Sequence, residues 1–314
     1  MKNSKFRYLF LGALLLLAFG VVRLYFYLTD DFRIANIIYP LPHHPEWEIK
    51  ITKEEQAELN SILDQEYSYI GKGAQSYVFG SNDGQYVLKF FKFKHLKPSW
   101  LHQFLPDIPV FSAFKERSRL RKERKLFSAF NGYKLAYDVH KPESALIFIQ
   151  LNPSGKTQWI VVHDKLGLPR NIDLGRVVFI VQRKGKTFRA ILHELLAQNQ
   201  IDIAKKRIHQ IFKLYLKEYS KGIFDHDHGV MQNTGFISDE PFHLDVGKLK
   251  AEPVMRLPEV YEKDLIKVAY KIALWIQNKH PEHKEALFKN MEQSLSMVTG
   301  KPFEMPAVIP QLKH

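Results

Sequence analysis

The 314-residue sequence contains no cysteine, which removes disulfides, thiolate metal sites and cysteine nucleophiles together while leaving the redox compartment open. It has no complete G-x-x-x-x-G-K-[ST] phosphate loop, and its one Gly-x-Gly stretch runs into a second strand-like segment rather than a helix. That excludes a Rossmann fingerprint. No internal repeat or low-complexity tract is present, so a solenoid is excluded as well. Acidic residues are in deficit, 33 Asp and Glu against 46 Lys and Arg, for a formal charge of +13. Such an excess suits phosphate-bearing ligands, nucleic acid or an anionic membrane surface. Much of it is concentrated, because residues 115–125 hold seven Lys/Arg and two Glu. This reads as one basic helix face. With no RNA- or DNA-binding motif present, nucleic acid is not the expected partner.

What is present begins with apolar and aromatic content, 45% and 13%, enough for one large core or two lobes. Residues 8–22 carry no charge, and after Arg23 the apolar run resumes to Leu28. About 20 apolar residues cross a bilayer core, an Arg near one end can snorkel to the headgroups, and Tyr25 and Tyr27 suit an interfacial belt. The basic start (Lys2, Lys5, Arg7) also suits a secretory signal, but no small-x-small cleavage site follows. The expectation is an uncleaved single-pass anchor over residues 8–28. Basic residues flank both ends, so the side of the membrane that holds the rest of the chain stays open.

Residues 31–51 read as an extended Pro- and His-containing connector. His43-His44 is weighed as a metal pair and set aside, since exposed linker histidines rarely bind one. Thr52 and Glu55 are spaced as a capping box for a helix over 53–64. Then Y-I-G-K-G-A-Q-S-Y-V-F-G-S-N-D-G-Q-Y-V-L-K-F-F places glycines between alternating apolar residues, with Asn82-Asp83-Gly84 as a hairpin turn before a strand over 85–91. Glycine lets a backbone approach phosphate closely, and Lys89 on the following strand supplies a counter-charge.

Beyond an irregular stretch over 94–109, the basic segment predicts a helix over 112–130, ended by Asn131-Gly132. Strands are predicted over 145–151, 158–163 and 176–182, and helices over 188–198, 202–219, 261–278 and 282–297. The most informative segment is G-I-F-D-H-D-H-G-V-M-Q-N-T-G-F-I-S-D-E-P-F-H-L-D-V-G-K-L, residues 222–249. Turns are expected at Thr234-Gly235 and over 238–241, which makes a small hairpin that brings Asp227, Asn233 and Asp245 to one edge. Hard oxygen ligands converging in this way suit Mg²⁺ together with phosphate oxygens.

These two segments resemble the protein-kinase-like superfamily, in layout closer to aminoglycoside and other small-molecule phosphotransferases than to typical protein kinases. Gly71, Gly73, Ser76 and Val78 resemble its G-x-G-x-x-G-x-V loop, with Ser in place of the third Gly. Lys89 in Y-V-L-K resembles the phosphate-contacting strand lysine, Asp227 the catalytic base, Asn233 a metal ligand, and Asp245-Val246-Gly247 the D-F-G turn. The spacing departs from the pattern, with five residues between Asp227 and Asn233 where four are usual, which leaves Asp225 as a competing base. The resemblance implies ATP and Mg²⁺ as cofactors, Glu123 (or Glu116) as the partner of Lys89, and adenine facing the backbone near Val181-Gln182. It also implies an α+β, two-lobed fold: anchor 1–30, linker and lead-in helix 31–66, antiparallel β N-lobe 67–183 and helical C-lobe 184–314.

The expected activity is transfer of the ATP γ-phosphoryl group to a hydroxyl acceptor. A small molecule, lipid or sugar is favoured over protein, because only about ten residues separate Gly247 from the next helix and no A-P-E-like anchor follows. Two other classes were weighed. A pseudokinase scaffold would bind a partner with or without nucleotide, and a metal-dependent hydrolase would use the D-H-D-H run 225–228.

Overall fold

Helix α1 (Lys2–Leu28) contains the charge-free run, and its apolar side chains face outward, Leu16 and Tyr27 being 73% and 78% exposed. The stretch Phe6–Leu28 is long and apolar enough to cross a membrane, and a signal sequence has the same length and composition. The computed structural model describes residues 2–94, 96, 109–227 and 229–306, except for the side chains of 2–5 and 109–115. Most of the irregular stretch 94–109, and His228 of the D-H-D-H run, lie outside the described residues. The chain is α+β and forms two compact units, residues 1–106 with 150–181 and residues 107–149 with 182–314.

In the first unit the connector after α1 is more ordered than its prolines imply. It holds helix α2 (Ile34–Ile37) and a 3-10 turn, Pro45–Trp47. Trp47 is buried, and the His44 N–H donates to Asn152 Oδ1 (3.0 Å) while Asn152 Nδ2 donates back to the His44 carbonyl (2.7 Å). His43 and His44 pair with Glu48 and Glu46. Helix α3 (Lys53–Leu63) has both arms of the predicted capping box between Thr52 and Glu55.

Strands β1 (Tyr67–Lys72), β2 (Ser76–Ser81), β3 (Tyr86–Phe91), β4 (Leu146–Gln150), β5 (Trp159–His163), β6 (Pro169–Asp173) and β7 (Phe179–Arg183) form a sheet in the order β4-β7-β3-β2-β1-β5-β6. The β1-β2-β3 meander is antiparallel, whereas β1 runs parallel to β5. The Asn-Asp-Gly turn closes as predicted, with Gly84 at φ 73° and Asp83 Oδ1 accepting from Ser81 Oγ and the Gln85 N–H. Strand β6 was not foreseen. Its sequence P-R-N-I-D carries a single buried apolar residue, Ile172, as suits an edge strand, and it is specified by pairing with β5 rather than by its own pattern.

In the second unit the basic helix α4 (Pro109–Val139) runs well past the predicted end at Phe130. Asn131-Gly132 reads as a stop, yet the helix passes through it, because the missing Cβ is used for packing. Short helix α5 (Lys141–Ser144) follows. Helices α6 (Phe188–Ala197), α7 (Ile201–Ser220), α8 (Val230–Asn233), α9 (Pro258–Lys279) and α10 (Lys284–Thr299) enclose a core that includes Leu192, Ile208, Phe212, Val268, Ile272 and Met291. Strands β8 (Lys186–Thr187), β10 (Thr234–Ile237) and β11 (Glu240–His243) form one small sheet, and β9 (Ile223–Asp225) with β12 (Leu249–Ala251) another. Thr234-Gly235, expected as a turn, is instead the start of β10, since Gly235 pairs with Thr187 across the sheet.

Candidate functional site

In the first unit the glycine segment spans the end of β1 and the start of β2. The register slips between Tyr69 and Gly71, a bulge that frees the loop from regular pairing. Among the described residues nothing lies within 4 Å of where a Gly71 Cβ would stand, which leaves room there for a ligand to approach the backbone. The turn closes through the Gly73 N–H to the Ser76 carbonyl (2.9 Å). Val78 sits directly opposite Lys89 in the β2–β3 register, and Lys89 is buried on β3.

Two further lysines shape this loop. Lys72 turns toward Asp30, with Nζ 3.0 Å from Oδ1. Lys92 donates from Nζ to the Gly73 carbonyl (2.5 Å) and lies over the Tyr77 ring at 4.6 Å. Burial, with the neighbouring Lys72 and Lys94 charges, pulls the Lys92 ammonium down to about 8. Sequence reasoning missed Lys92, which is one of several basic residues after β3.

In the second unit the catalytic-loop candidates follow β9. Asp225, the last residue of that strand, is opposite Leu249 and is buried. Its Oδ1 accepts the Asp227 N–H (2.8 Å), and its own N–H donates to Glu218 Oε1 (2.8 Å). Burial pushes the Asp225 carboxyl up to about 7, reinforced by the charges of Asp227 and Asp245. The Asp227 side chain is 43% exposed and ion-paired with Lys248 (3.0 Å). The two aspartates therefore differ in kind. Asp225 braces the loop from inside, and Asp227 presents its carboxylate outward.

Asn233 closes α8, and its backbone carbonyl accepts the Leu244 N–H (2.7 Å). Its Nδ2 leans on the Asp227 carbonyl at 3.4 Å, which leaves Oδ1 uncommitted among the described contacts. In the D-V-G turn, Asp245 Oδ1 accepts the Gly247 N–H (3.0 Å) and the Tyr133 hydroxyl (3.2 Å). Gly132 packs on the same turn. A Cβ there would be 2.6 Å from the Val246 carbonyl oxygen. The other predicted residues on α4, Glu123 and Glu116, both bind Arg119, at 2.7 Å and 2.6 Å. Gln182 donates from Nε2 to the Ser144 and His243 carbonyls, so its side chain is used inside the unit.

Glu218, Tyr133 and Lys248 were not singled out from the sequence, and Gly132 was read only as a helix end. Only Glu218 left a signal: it falls on the buried stripe of α7 with Ile208, Ile211 and Tyr215, where a carboxylate needs a partner. Burial keeps its carboxyl well above the usual range, with the Asp225 charge adding to the effect. The nearby imidazoles of His140 and His243 are pushed down to about 2 and about 4, chiefly by burial.

The elements follow one another in the expected order: glycine hairpin, strand lysine, helix, strands, the loop 225–233, small hairpin, D-V-G turn and closing helices. No protein-family model matches the sequence, and no curated protein matches it. Among solved structures, the chain is similar to an aminoglycoside phosphotransferase, APH(2'')-Ib with ADP bound, at 12% identity over 79% of this chain and 90% of that one, with a TM-score of 0.26. It is similar to the streptomycin–ATP–APH(2'')-IIa ternary complex at 13% identity over 81% and 90%, TM-score 0.27. It is also similar to the Rv3197–erythromycin complex from Mycobacterium tuberculosis, at 14% identity and TM-score 0.33, covering 76% of this chain and only 59% of that one.

Proposed function

We propose that the protein is a kinase-like phosphotransferase that uses Mg-ATP and transfers the γ-phosphoryl group to the hydroxyl of a small molecule, lipid or sugar. It is held at a membrane by residues 8–28. The observation that carries this is the contrast within the loop 225–233, where the buried Asp225 carboxylate fixes the Asp227 backbone and Asp227 keeps an exposed carboxylate of its own.

The residues fit a magnesium ion. Asp245 has one oxygen engaged by Gly247 and Tyr133 and the other uncommitted among the described contacts, and Asn233 offers Oδ1. A carboxylate and an amide oxygen are hard donors of the kind Mg²⁺ takes beside phosphate oxygens. When bound, the ion would neutralise charge on the β- and γ-phosphates. The backbone of Gly71, Gly73, Ser76 and Val78 would cradle phosphate, and Lys89 would supply a cation to it. Glu123, or Glu116, is the acidic residue that the resemblance implies for orienting Lys89. Asp227 would accept the acceptor's hydroxyl proton as the new P–O bond forms and the bond to the ADP oxygen breaks.

The second reading, a pseudokinase scaffold, is favoured by one observation. Asp227 is already paired with Lys248, so an acceptor hydroxyl has to displace that contact to reach the carboxylate. Thermal melting with Mg-ATP and ATP turnover against a panel of hydroxyl acceptors separate the two. A ligand-dependent rise in Tm that is weakened by Asp245→Ala and by Lys89→Ala, together with turnover, supports the enzyme. The same rise without turnover on any acceptor supports the scaffold, and no rise in a folded protein sinks both.

A further inference from the structure

Behind the loop, three side chains from separate elements of the second unit meet in the interior: His140 at the end of α4, Glu218 on α7 and His243 on β11. Their relative exposures are 0%, 0% and 1%. Each ends in a polar atom without a hydrogen-bond partner among the described residues: His140 Nε2, Glu218 Oε2 and His243 Nε2. Unsatisfied buried polar atoms are rare, because each is costly unless an ion or water completes it. Three of them converging is not accounted for by the phosphotransferase reading.

We infer that His140, Glu218 and His243 form a buried, structural divalent-metal site, with Zn²⁺ as the best-matched ion. The inference does not depend on the proposed activity. One ligand atom from each residue lies within 4.8 Å of the others. His243 Nε2 and Glu218 Oε2 stand 3.2 Å apart without satisfying hydrogen-bond geometry. Two donors about 2.0–2.1 Å from a tetrahedral ion lie roughly 3.3 Å from one another, so this pair already has the spacing of two ligands. With all three atoms within 4.8 Å of one another, His140 would have to close by no more than about 1.5 Å to complete the set.

The surroundings match those of a metal ligand set. A ligating imidazole commonly gives its other nitrogen to a carboxylate, and His140 Nδ1 is 3.4 Å from Glu143 Oε2. Lys221 Nζ, a donor, lies 3.2 Å from the same nitrogen and 2.5 Å from Glu143, so metal binding at Nε2 requires the proton to move to Nδ1, donated to Glu143, with Lys221 then held by Glu143 alone. Glu218 gives its second oxygen to the Asp225 N–H. Two imidazoles and one carboxylate, without thiolate, suit zinc, with the fourth position left for water. The location gives the ion a task. His243 is opposite Thr234 in the β10–β11 register, next to Asn233 and two residues before Asp245. A metal there would pin the hairpin that carries both.

The test uses the full chain in detergent, without a histidine tag and without nucleotide, dialysed against metal-free buffer and assayed by elemental analysis. About one zinc per chain is expected, together with a fall in Tm of roughly 5 °C on chelation and recovery on adding Zn²⁺ alone. Co²⁺ substitution should give the visible d–d bands of a tetrahedral site in the wild type, so the result does not hang on variants that misfold. Glu218→Gln and His243→Gln should lose the metal, whereas Asp245→Ala should keep it. That separates failure of this site from failure of the Mg-ATP reading. A folded chain that is metal-free, with a Tm unmoved by Zn²⁺ and chelator and no cobalt spectrum, overturns the inference.

Discussion

The carbonyl oxygen of Val246 lies 2.6 Å from the point where a Gly132 Cβ would stand, and backbone atoms of Gly247 lie 2.8 Å and 2.9 Å from it. No Cβ tolerates such contacts, and backbone cannot swing aside as a side-chain tip can. The long basic helix is therefore fitted to the D-V-G turn at one residue. Gly132→Ala should destabilise the protein by roughly 1–3 kcal/mol through overpacking. It should also weaken the Mg-ATP-dependent rise in Tm more than its loss of stability alone explains. Melting with and without Mg-ATP reads both, and an alanine variant equal to wild type in each would show that the turn yields freely.

Asp225 and Asp227 should separate in kinetics. Asp227→Asn keeps the backbone contacts of the loop and is expected to retain Mg-ATP binding while losing about 100-fold or more in turnover, the scale of general-base catalysis. Asp225→Asn keeps an oxygen for the Asp227 N–H and should change turnover much less. The reverse pattern would make Asp225, whose carboxyl burial has raised to about 7, the base.

Lys92 sets a pH dependence. Its folded pKa of about 8 is below the ordinary 10.5, so between these values the unfolded chain binds more protons at this site than the folded one. Its contribution to stability therefore rises with pH across that window. Lys92→Met should raise stability near neutral pH, by no more than about 1 kcal/mol given solvent screening, with the gain vanishing by about pH 10. A phosphate held at the Gly73 turn would restore the proton, so Mg-ATP binding near pH 8 should take up protons. Calorimetry in two buffers of different ionisation enthalpy measures this, and identical heats would remove Lys92 from the phosphate's surroundings.

The N-terminal boundary of a truncated protein should matter at the level of two residues. Asp31 accepts from Tyr77 and Asn36 through its carbonyl and pairs with Lys94 through its carboxylate. Asp30 binds Tyr69, Lys72 and Lys165. A chain starting at residue 34 loses both and should melt several degrees below one starting at residue 29. Equal melting would mean that these contacts are worth little.

Elements whose specification is local could be read from the sequence. The Thr52–Glu55 box, the Asn82-Asp83-Gly84 hairpin and the amphipathic helix α7 each carry their signal within a few residues. The α+β class was implied by the resemblance that the glycine hairpin and the segment 222–249 carry. What escaped depends on partners distant in sequence. Strand β6 is defined by β5, the run of α4 through Gly132 by a turn more than a hundred residues later, and Lys92 by the Gly73 carbonyl. The Asp227–Asn233 segment was legible as oxygen-donor chemistry, but its spacing could not tell the buried carboxylate from the exposed one. Burial made that distinction, and burial of Asp225 comes from α7 and β12.

Asp30 lies two residues past the end of α1 and reaches three groups at once: the Tyr69 hydroxyl (3.0 Å), Lys72 Nζ (3.0 Å) and Lys165 Nζ (3.2 Å). Tyr25, still within α1, accepts from Arg170 (2.7 Å). The hydrophobic helix and the strand that opens the glycine turn are thus joined without slack. If α1 lies in a bilayer, the turn cannot roam at the end of a leash, and it works at a fixed height above the headgroups. Any tilt that the helix adopts to match bilayer thickness is handed directly to the strand, and the molecules within reach are those that dwell at that height.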